Sequence, residues 1–331
     1  MFDGRIYRVA FVPLLLILVV VGFSLAGRPA SLRSTLAPDA FDGKRAFAEL
    51  QTLANRFPDR RAGSAGDAQL ASYIVGVLSG LGGSSTGSGS GFRVSTHRFQ
   101  AQTVDGGRTL TTVIAERPGS TGLAPIAIVA HRDATARGSA AELSGTAALL
   151  ELARVFSQSE TRRTILLVST SGGSGGDGGA TDFAASGRSL DAGIVLGDIA
   201  GATAHKPFVL PFSSGQSSAP DTLQGTLESA ISQEVGVAPG TPSVSMQLTH
   251  LVFPLSTGEE APLNDASTPA VLLQVSGERG PSAGVPVSES RLLNFGRAAL
   301  TATYALDEGA NVARSQAPRL LLGRKTIPGW A

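Results

Sequence analysis

The stretch Ala130–Ala153, AHRDATARGSAAELSGTAALLELA, decides how the rest of the chain is read. A His-x-Asp pair, His131 and Asp133, directly follows the apolar run PIAIVA (Pro125–Ala130). A Gly/Ser turn comes next, then a helix over Ser144–Phe156. A short, continuous apolar run bounded by a turn reads as a strand buried on both faces. His131 and Asp133 therefore stand at its carboxyl end, where open α/β sheets bind their ligands. The layout is that of a metal site. Yet the turn, where acidic ligands would be needed, reads Ala140-Ala141-Glu142.

Working outward, the same kind of run recurs at TILLVST (Thr164–Thr170), AGIVLGDIAG (Ala192–Gly201) and PAVLLQV (Pro269–Val275). Helical spacing covers Phe47–Phe57 and Leu70–Leu81, the second opened by a Ser64/Asp67 capping box and stopped by Gly82-Gly83. Further helices are predicted at Thr181–Ala185, Asp221–Val235 behind Pro220, and Ser290–Leu306. FRVSTHRF (Phe92–Phe99) and TTVIAE (Thr111–Glu116) read as strands, and SSTGSGSG (Ser84–Gly91) as a flexible loop. Buried strands alternating with helices predict an α/β fold, a mostly parallel mixed sheet with helices on both faces.

At the other end, the run VAFVPLLLILVVVGFSLAG (Val9–Gly27) is uncharged and follows Arg5 and Arg8. It predicts that one N-terminal transmembrane helix precedes the sheet, with the basic end in the cytoplasm. A cleaved signal peptide ending at Ser24-Leu25-Ala26 is the alternative. Both export the remainder of the chain, so the expected location is the cell membrane, single-pass, N-terminus cytoplasmic and main domain extracytoplasmic. The expected division is a cytoplasmic N-terminus (1–8), an anchor (9–27), a stalk (28–40), one domain (41–310) and a juxtamembrane-like tail (311–331). In that tail, RLLLGRKTIPGWA combines apolar and basic residues with Trp330.

Composition narrows the chemistry. With 42% hydrophobic residues in 331, the chain can bury a large core. A net charge of +1 argues against nucleic acid as a partner. The absence of cysteine excludes disulfides, thiolate metal sites and Cys nucleophiles.

The order of motifs resembles the co-catalytic di-zinc aminopeptidases. That group includes leucyl aminopeptidases, glutamate carboxypeptidase and the non-catalytic transferrin-receptor ectodomain. FPDRRAGSAGDAQLASYI, AIVAHRD, ELSGTAALLELAR, TILLVSTSGG, GDIAG and APLNDASTPAVLL are similar to successive family motifs, in order, from about Phe41 to Leu306. The resemblance places one metal-binding His at His131, its orienting Asp at Asp133 and a late Asp ligand at Asp198. It places the bridging Asp at Ala140, and the general base and its neighbouring ligand, both Glu in the family, at Gly172 and Gly173. The last His ligand should follow the strand near Val275, but His250 is the final histidine.

Two candidate ligands on different strands fall short of the three plus water of a catalytic zinc. The resemblance thus implies a degenerate member, a pseudoenzyme that holds no cofactor and serves as a binding or scaffold domain. Its partners would be the membrane, through the N-terminal helix, and a peptide or protein at the inherited cleft. Zinc enters only if a rearranged single-metal site makes the chain an active metallopeptidase. Glu142 is expected as an exposed helix-start carboxylate, and Glu259 and Glu260 as solvated loop charges. A rival enzyme reading comes from GGSGG (Gly172–Gly176), a Gly-x-Ser-x-Gly match that makes Ser174 a nucleophile with Asp198 and His250 as triad partners.

Overall fold

The computed structural model describes residues 4–81, 91–215, 217–253, 256, 258–312, 316–317, 319–322 and 325–328. The Ser84–Gly91 loop, all but its last residue, lies outside these, as do Gly82-Gly83, Arg324 and Trp330. The chain opens with α1 (Gly4–Ser24), which contains Pro13, followed by the short strand β1 (Ala26–Gly27).

One expectation is corrected here. Among the described residues no helix is long and apolar enough to cross a membrane, so the transmembrane helix preceding the sheet is withdrawn. Helix α1 ends at Ser24. It does not continue through Gly27 because Ala26 and Gly27 pair as strand with Thr326 and Lys325.

After α2 (Gly43–Arg56) and α3 (Ala65–Gly80), the central sheet begins with a long hairpin, β2 (Arg93–Thr103) and β3 (Gly106–Arg117). It continues through β4 (Ile126–His131), α4 (Ser144–Gln158), β5 (Ile165–Thr170), α5 (Gly178–Ala185) and β6 (Ala192–Leu196). Then come β7 (Val209–Leu210), α6 (Asp221–Val235), α7 (Val244–Val252), α8 (Glu260–Asp265), β8 (Ala270–Leu273) and α9 (Glu289–Glu308). The strand order is β2-β3-β5-β4-β6-β8-β7. β5, β4, β6 and β8 are parallel, while β3 and β7 run antiparallel to their neighbours.

Strand periodicity assigns the two faces. Ile126, Ile128 and Ala130 of β4 join a core with residues of α2, α3, α4, α6 and α9. Ala127 and Val129 join the opposite core with Phe183 of α5 and Leu263 of α8. Helices on both sides explain why the central strands are apolar throughout rather than alternating.

Half of the capping box forms, because Asp67 reaches Gly63 N while Ser64 N donates to the Arg61 carbonyl. Ser64 Oγ accepts from Asp67 N (3.2 Å) and Asp67 Oδ2 accepts from Gly63 N (3.0 Å). The other Asp67 oxygen meets Arg132 Nε at 2.7 Å with both side chains buried. Arg132 also donates to the Ser169, Thr170 and Thr111 carbonyls. This buried guanidinium ties the end of β4 to β5 and β3, fixing its two neighbours His131 and Asp133.

The last segment folds back on the molecule. β9 (Arg319–Leu322) and β10 (Lys325–Pro328) form an antiparallel pair, and β10 pairs with β1. The Gln247 side chain of α7 accepts from Leu321 N (2.5 Å) and donates to Leu321 O (3.0 Å). Arg319 Nη1 meets the buried Asp221 carboxylate at 3.0 Å.

Candidate functional site

His131 ends β4 with its imidazole clamped between two carboxylates. Nε2 lies 2.9 Å from Glu142 Oε2, and Nδ1 lies 3.6 Å from Glu259 Oε2. Glu142 comes from the 3-10 turn Ala141–Leu143 ahead of α4. Glu259, at the start of α8, also accepts from Thr170 Oγ1 at 2.5 Å. Burial alone would depress the His131 pKa. The hydrogen bonds and charges of the two glutamates outweigh it and hold the pKa well above 6.5. Both ring nitrogens thus already face a carboxylate.

Three expectations about acids are corrected. Glu142 is not exposed: only 13% of its side chain is accessible, because it turns inward to His131. Glu259 and Glu260 are not solvated but buried. Burial pushes Glu260 up to about 8, the Ser256 hydroxyl being one of the donors that oppose the shift.

Asp133 does not touch the His131 ring, whose nitrogens face Glu142 and Glu259. Its Oδ1 accepts from Gly172 N (2.9 Å) and Gly173 N (3.0 Å), and its Oδ2 from Ser174 N (3.2 Å) and Ser174 Oγ (2.5 Å). Successive backbone N–H groups around a carboxylate form an anion nest. Asp133 fills it and sets the shape of the glycine-rich loop. Gly172 has φ +93°, a backbone that disfavours any side chain. A Cβ on Gly173 would stand 2.5 Å from His131 Cβ and 2.8 Å from the Glu259 carboxyl carbon. The space that the resemblance assigns to a ligand at Gly173 is filled by the Glu259–His131 pair.

Asp198, after β6, spends one oxygen on the turn beyond it. Oδ1 accepts from Gly201 N (2.7 Å), Ala200 N (3.1 Å) and Ser144 Oγ (3.4 Å). Burial raises its pKa, and the turn N–H groups work against that rise. Ala140 precedes the Ala141–Leu143 turn and offers no donor atom in its side chain. Among the described residues no group of three or more His, Cys, Asp or Glu is placed to hold a metal ion.

The serine-hydrolase triad is not assembled. The Ser174 hydroxyl goes to Asp133. His250, on α7, pairs through Nε2 with Glu278 at 2.7 Å and stacks on Phe212 with ring centroids 3.8 Å apart. Asp198 is engaged in its own turn.

The His131–Glu142–Glu259 group floors an open cleft of about 470 Å³ at the carboxyl ends of β4, β5 and β8, which Asp177, Gln274 and Glu278 also line. Val104, at the tip of the β2–β3 hairpin, overhangs the Gly173–Gly176 side of the mouth. Sequence reasoning missed the glutamate clamp. The available signal was Glu-Glu at 259–260 directly before a buried apolar segment.

No protein-family model matches this sequence, and a comparison with curated proteins finds no match. Solved structures do match. The zinc aminopeptidase BSAP from Bacillus subtilis superposes with a TM-score of 0.61 at 12% identity, over 80% of this chain and 95% of that one. The LapA aminopeptidase of Legionella pneumophila gives 0.62 at 14%, over 86% and 79%. The glutaminyl cyclase of Fimbriiglobus ruber gives 0.59 at 17%, over 84% and 99%.

Zinc, which this likeness brings in, does not fit the residues present. His131 has a carboxylate against each ring nitrogen, Asp133 fills the loop nest, and Gly173 has no room for a carboxylate. The chain has the α/β fold shared by zinc aminopeptidases and glutaminyl cyclases, with the His131 ring between two glutamates at the centre of its cleft.

Proposed function

We propose that this domain binds a peptide or protein segment in its cleft and does not hydrolyse it. The observation that carries the reading is the Glu142–His131–Glu259 clamp. It occupies the position of the metal-binding histidine with an arrangement in which each ring nitrogen faces a carboxylate. The glycine-rich loop beside it leaves a chain-wide opening lined by backbone, which suits contact with an extended segment. The cleft is inherited with the fold and the chemistry is not, since function resides in the site.

The test is metal content and turnover of the purified full chain. Far less than one zinc per chain is expected after incubation with zinc and desalting. No release of nitroaniline from aminoacyl-nitroanilides and no cyclisation of glutaminyl peptides is expected either. Stoichiometric zinc together with chelator-sensitive turnover of either substrate would refute the reading.

A further inference from the structure

The cleft carries more negative charge than His131 can take up. Glu142, Asp177, Glu259 and Glu278 line it, against His131 and Arg279 as the lining groups able to be cations. One imidazole stands between Glu142 and Glu259, so it neutralises at most one of the two. Glu259 is the member that points to a guest. Its side chain is only 2% exposed. Oε1 accepts from Thr170 Oγ1, but Oε2 has no hydrogen-bond partner among the described residues. At 3.6 Å from His131 Nδ1 it makes a charge contact and no hydrogen bond. A buried carboxylate oxygen left without a donor is unfavourable. Asp177, at the start of α5, feels the same charge: burial raises its pKa and the Glu259 charge adds to the rise.

The arrangement selects the kind of cation. Among the described residues no three of these groups converge on a metal ion, so the carboxylates surround a space rather than a point. A charged head on a flexible apolar stem suits such a space, because the stem brings the head to the acids. The cleft also continues sideways. Val104, Ser174 and Gly175 line both it and a neighbouring cavity of about 140 Å³ that reaches Arg61 and Asp105. A segment can therefore run along the glycine-rich loop, with chain on either side of the residue it inserts.

This step rests on the peptide-binding reading above. We propose that the cleft selects a basic segment, taking an internal Lys or Arg side chain whose cation lies among Glu142, Asp177 and Glu278, over the unpartnered oxygen of Glu259. An acidic side chain there would add a further carboxylate to the cluster and is rejected.

The test uses the full chain, immobilised, and pools of short peptides blocked at both ends. Their flanks are random and uncharged, and the central residue is Lys, Arg, norleucine or Glu. The Lys and Arg pools should be retained about fivefold more than the norleucine pool, the upper range for one charge pair open to water. The Glu pool should be retained less than norleucine. Asp177→Asn and Glu278→Gln, with unchanged circular-dichroism spectra, should each weaken retention of the Lys pool and leave the norleucine pool unchanged. Arg279→Ala, which removes a competing cation, should strengthen it. Asp39→Asn, at an exposed acid that does not line the cleft, should have no effect. Equal retention of the Lys and norleucine pools would overturn the proposal and leave peptide binding standing, whereas retention of no pool would overturn both. If an unblocked norleucine pool matches the blocked Lys pool, the guest is a chain terminus and the proposal fails. It fails also if Asp39→Asn acts as strongly as Asp177→Asn, since the attraction is then general.

Discussion

At the scale of single residues, Gly173 and Glu260 carry the clearest consequences. Gly173→Ala adds one methyl group against the His131 Cβ and the Glu259 carboxyl. Neither neighbour is the free end of a flexible chain, because both belong to the clamp. Overpacking of this kind costs about 1–3 kcal/mol, and the urea midpoint should fall accordingly. An unchanged midpoint would mean that the clamp yields easily. Glu260 gives a pH signature. Its folded pKa of about 8 lies above the 4.5 of an ordinary glutamate, so the folded chain holds more protons than the unfolded chain between those values. Stability therefore declines as pH rises from about 4.5 to about 8. The raised His131 pKa acts in the same direction: its contribution is complete below pH 6.5 and is lost as pH climbs through the higher folded value. Glu260→Gln should flatten the fall in urea midpoint between pH 5 and 8. Superimposable profiles for the two proteins would show that Glu260 is not the buried acid responsible.

At the scale of elements, the C-terminal hairpin is held by two side chains that reach into it. Gln247→Ala leaves the buried N–H and C=O of Leu321 without partners, and each such group costs about 1–3 kcal/mol. Arg319→Met strips the cation from Asp221, whose side chain is only 2% exposed, and breaking a buried pair from one side costs about 3–5 kcal/mol. Both variants should lower the urea midpoint. Unaffected stability would mean that the hairpin detaches freely from α6 and α7. None of this is legible in RLLLGRKTIPGWA. Its register is set by Gln247, by Asp221 and by β1, all remote in sequence, and two short strands leave too little periodicity to read. Helix α7 is hidden for a related reason: its apolar residues face outward, so the usual link between periodicity and burial is reversed. The strands β4, β5, β6 and β8, by contrast, are unmistakable runs because both of their faces are covered. The α6 boundaries follow from Pro220 and Gly236, the latter in the left-handed region at φ +70°.

At the scale of the whole molecule, the α/β class and the position of the cleft at the carboxyl ends of the strands could be read from the order of motifs, while the strand order could not. The content of the cleft could not. The resemblance expects carboxylates at Ala140, Gly172 and Gly173, where this sequence has none, but nothing in it places Glu142 and Glu259 against His131, since a charged residue in an aperiodic loop carries no sign of its partner. This distinction makes a final outcome testable. If the site were only stripped of its ligands, Ala140→Asp/Gly172→Glu/Gly173→Glu would return them and zinc would bind. The backbone argues otherwise. Gly172 sits at φ +93°, the Gly173 Cβ position is filled, and Asp133 holds the loop in the shape that causes both. The triple variant should therefore bind far less than one zinc per chain and be less stable than the parent, read as metal content after desalting and as urea midpoint. Adding Glu142→Ala and Glu259→Ala, which release the His131 ring and open room beside residue 173, should raise the zinc content above that of the triple variant. One zinc per chain in the triple variant alone would show that the loop re-forms around metal and that the cleft is a stripped site rather than a rebuilt one.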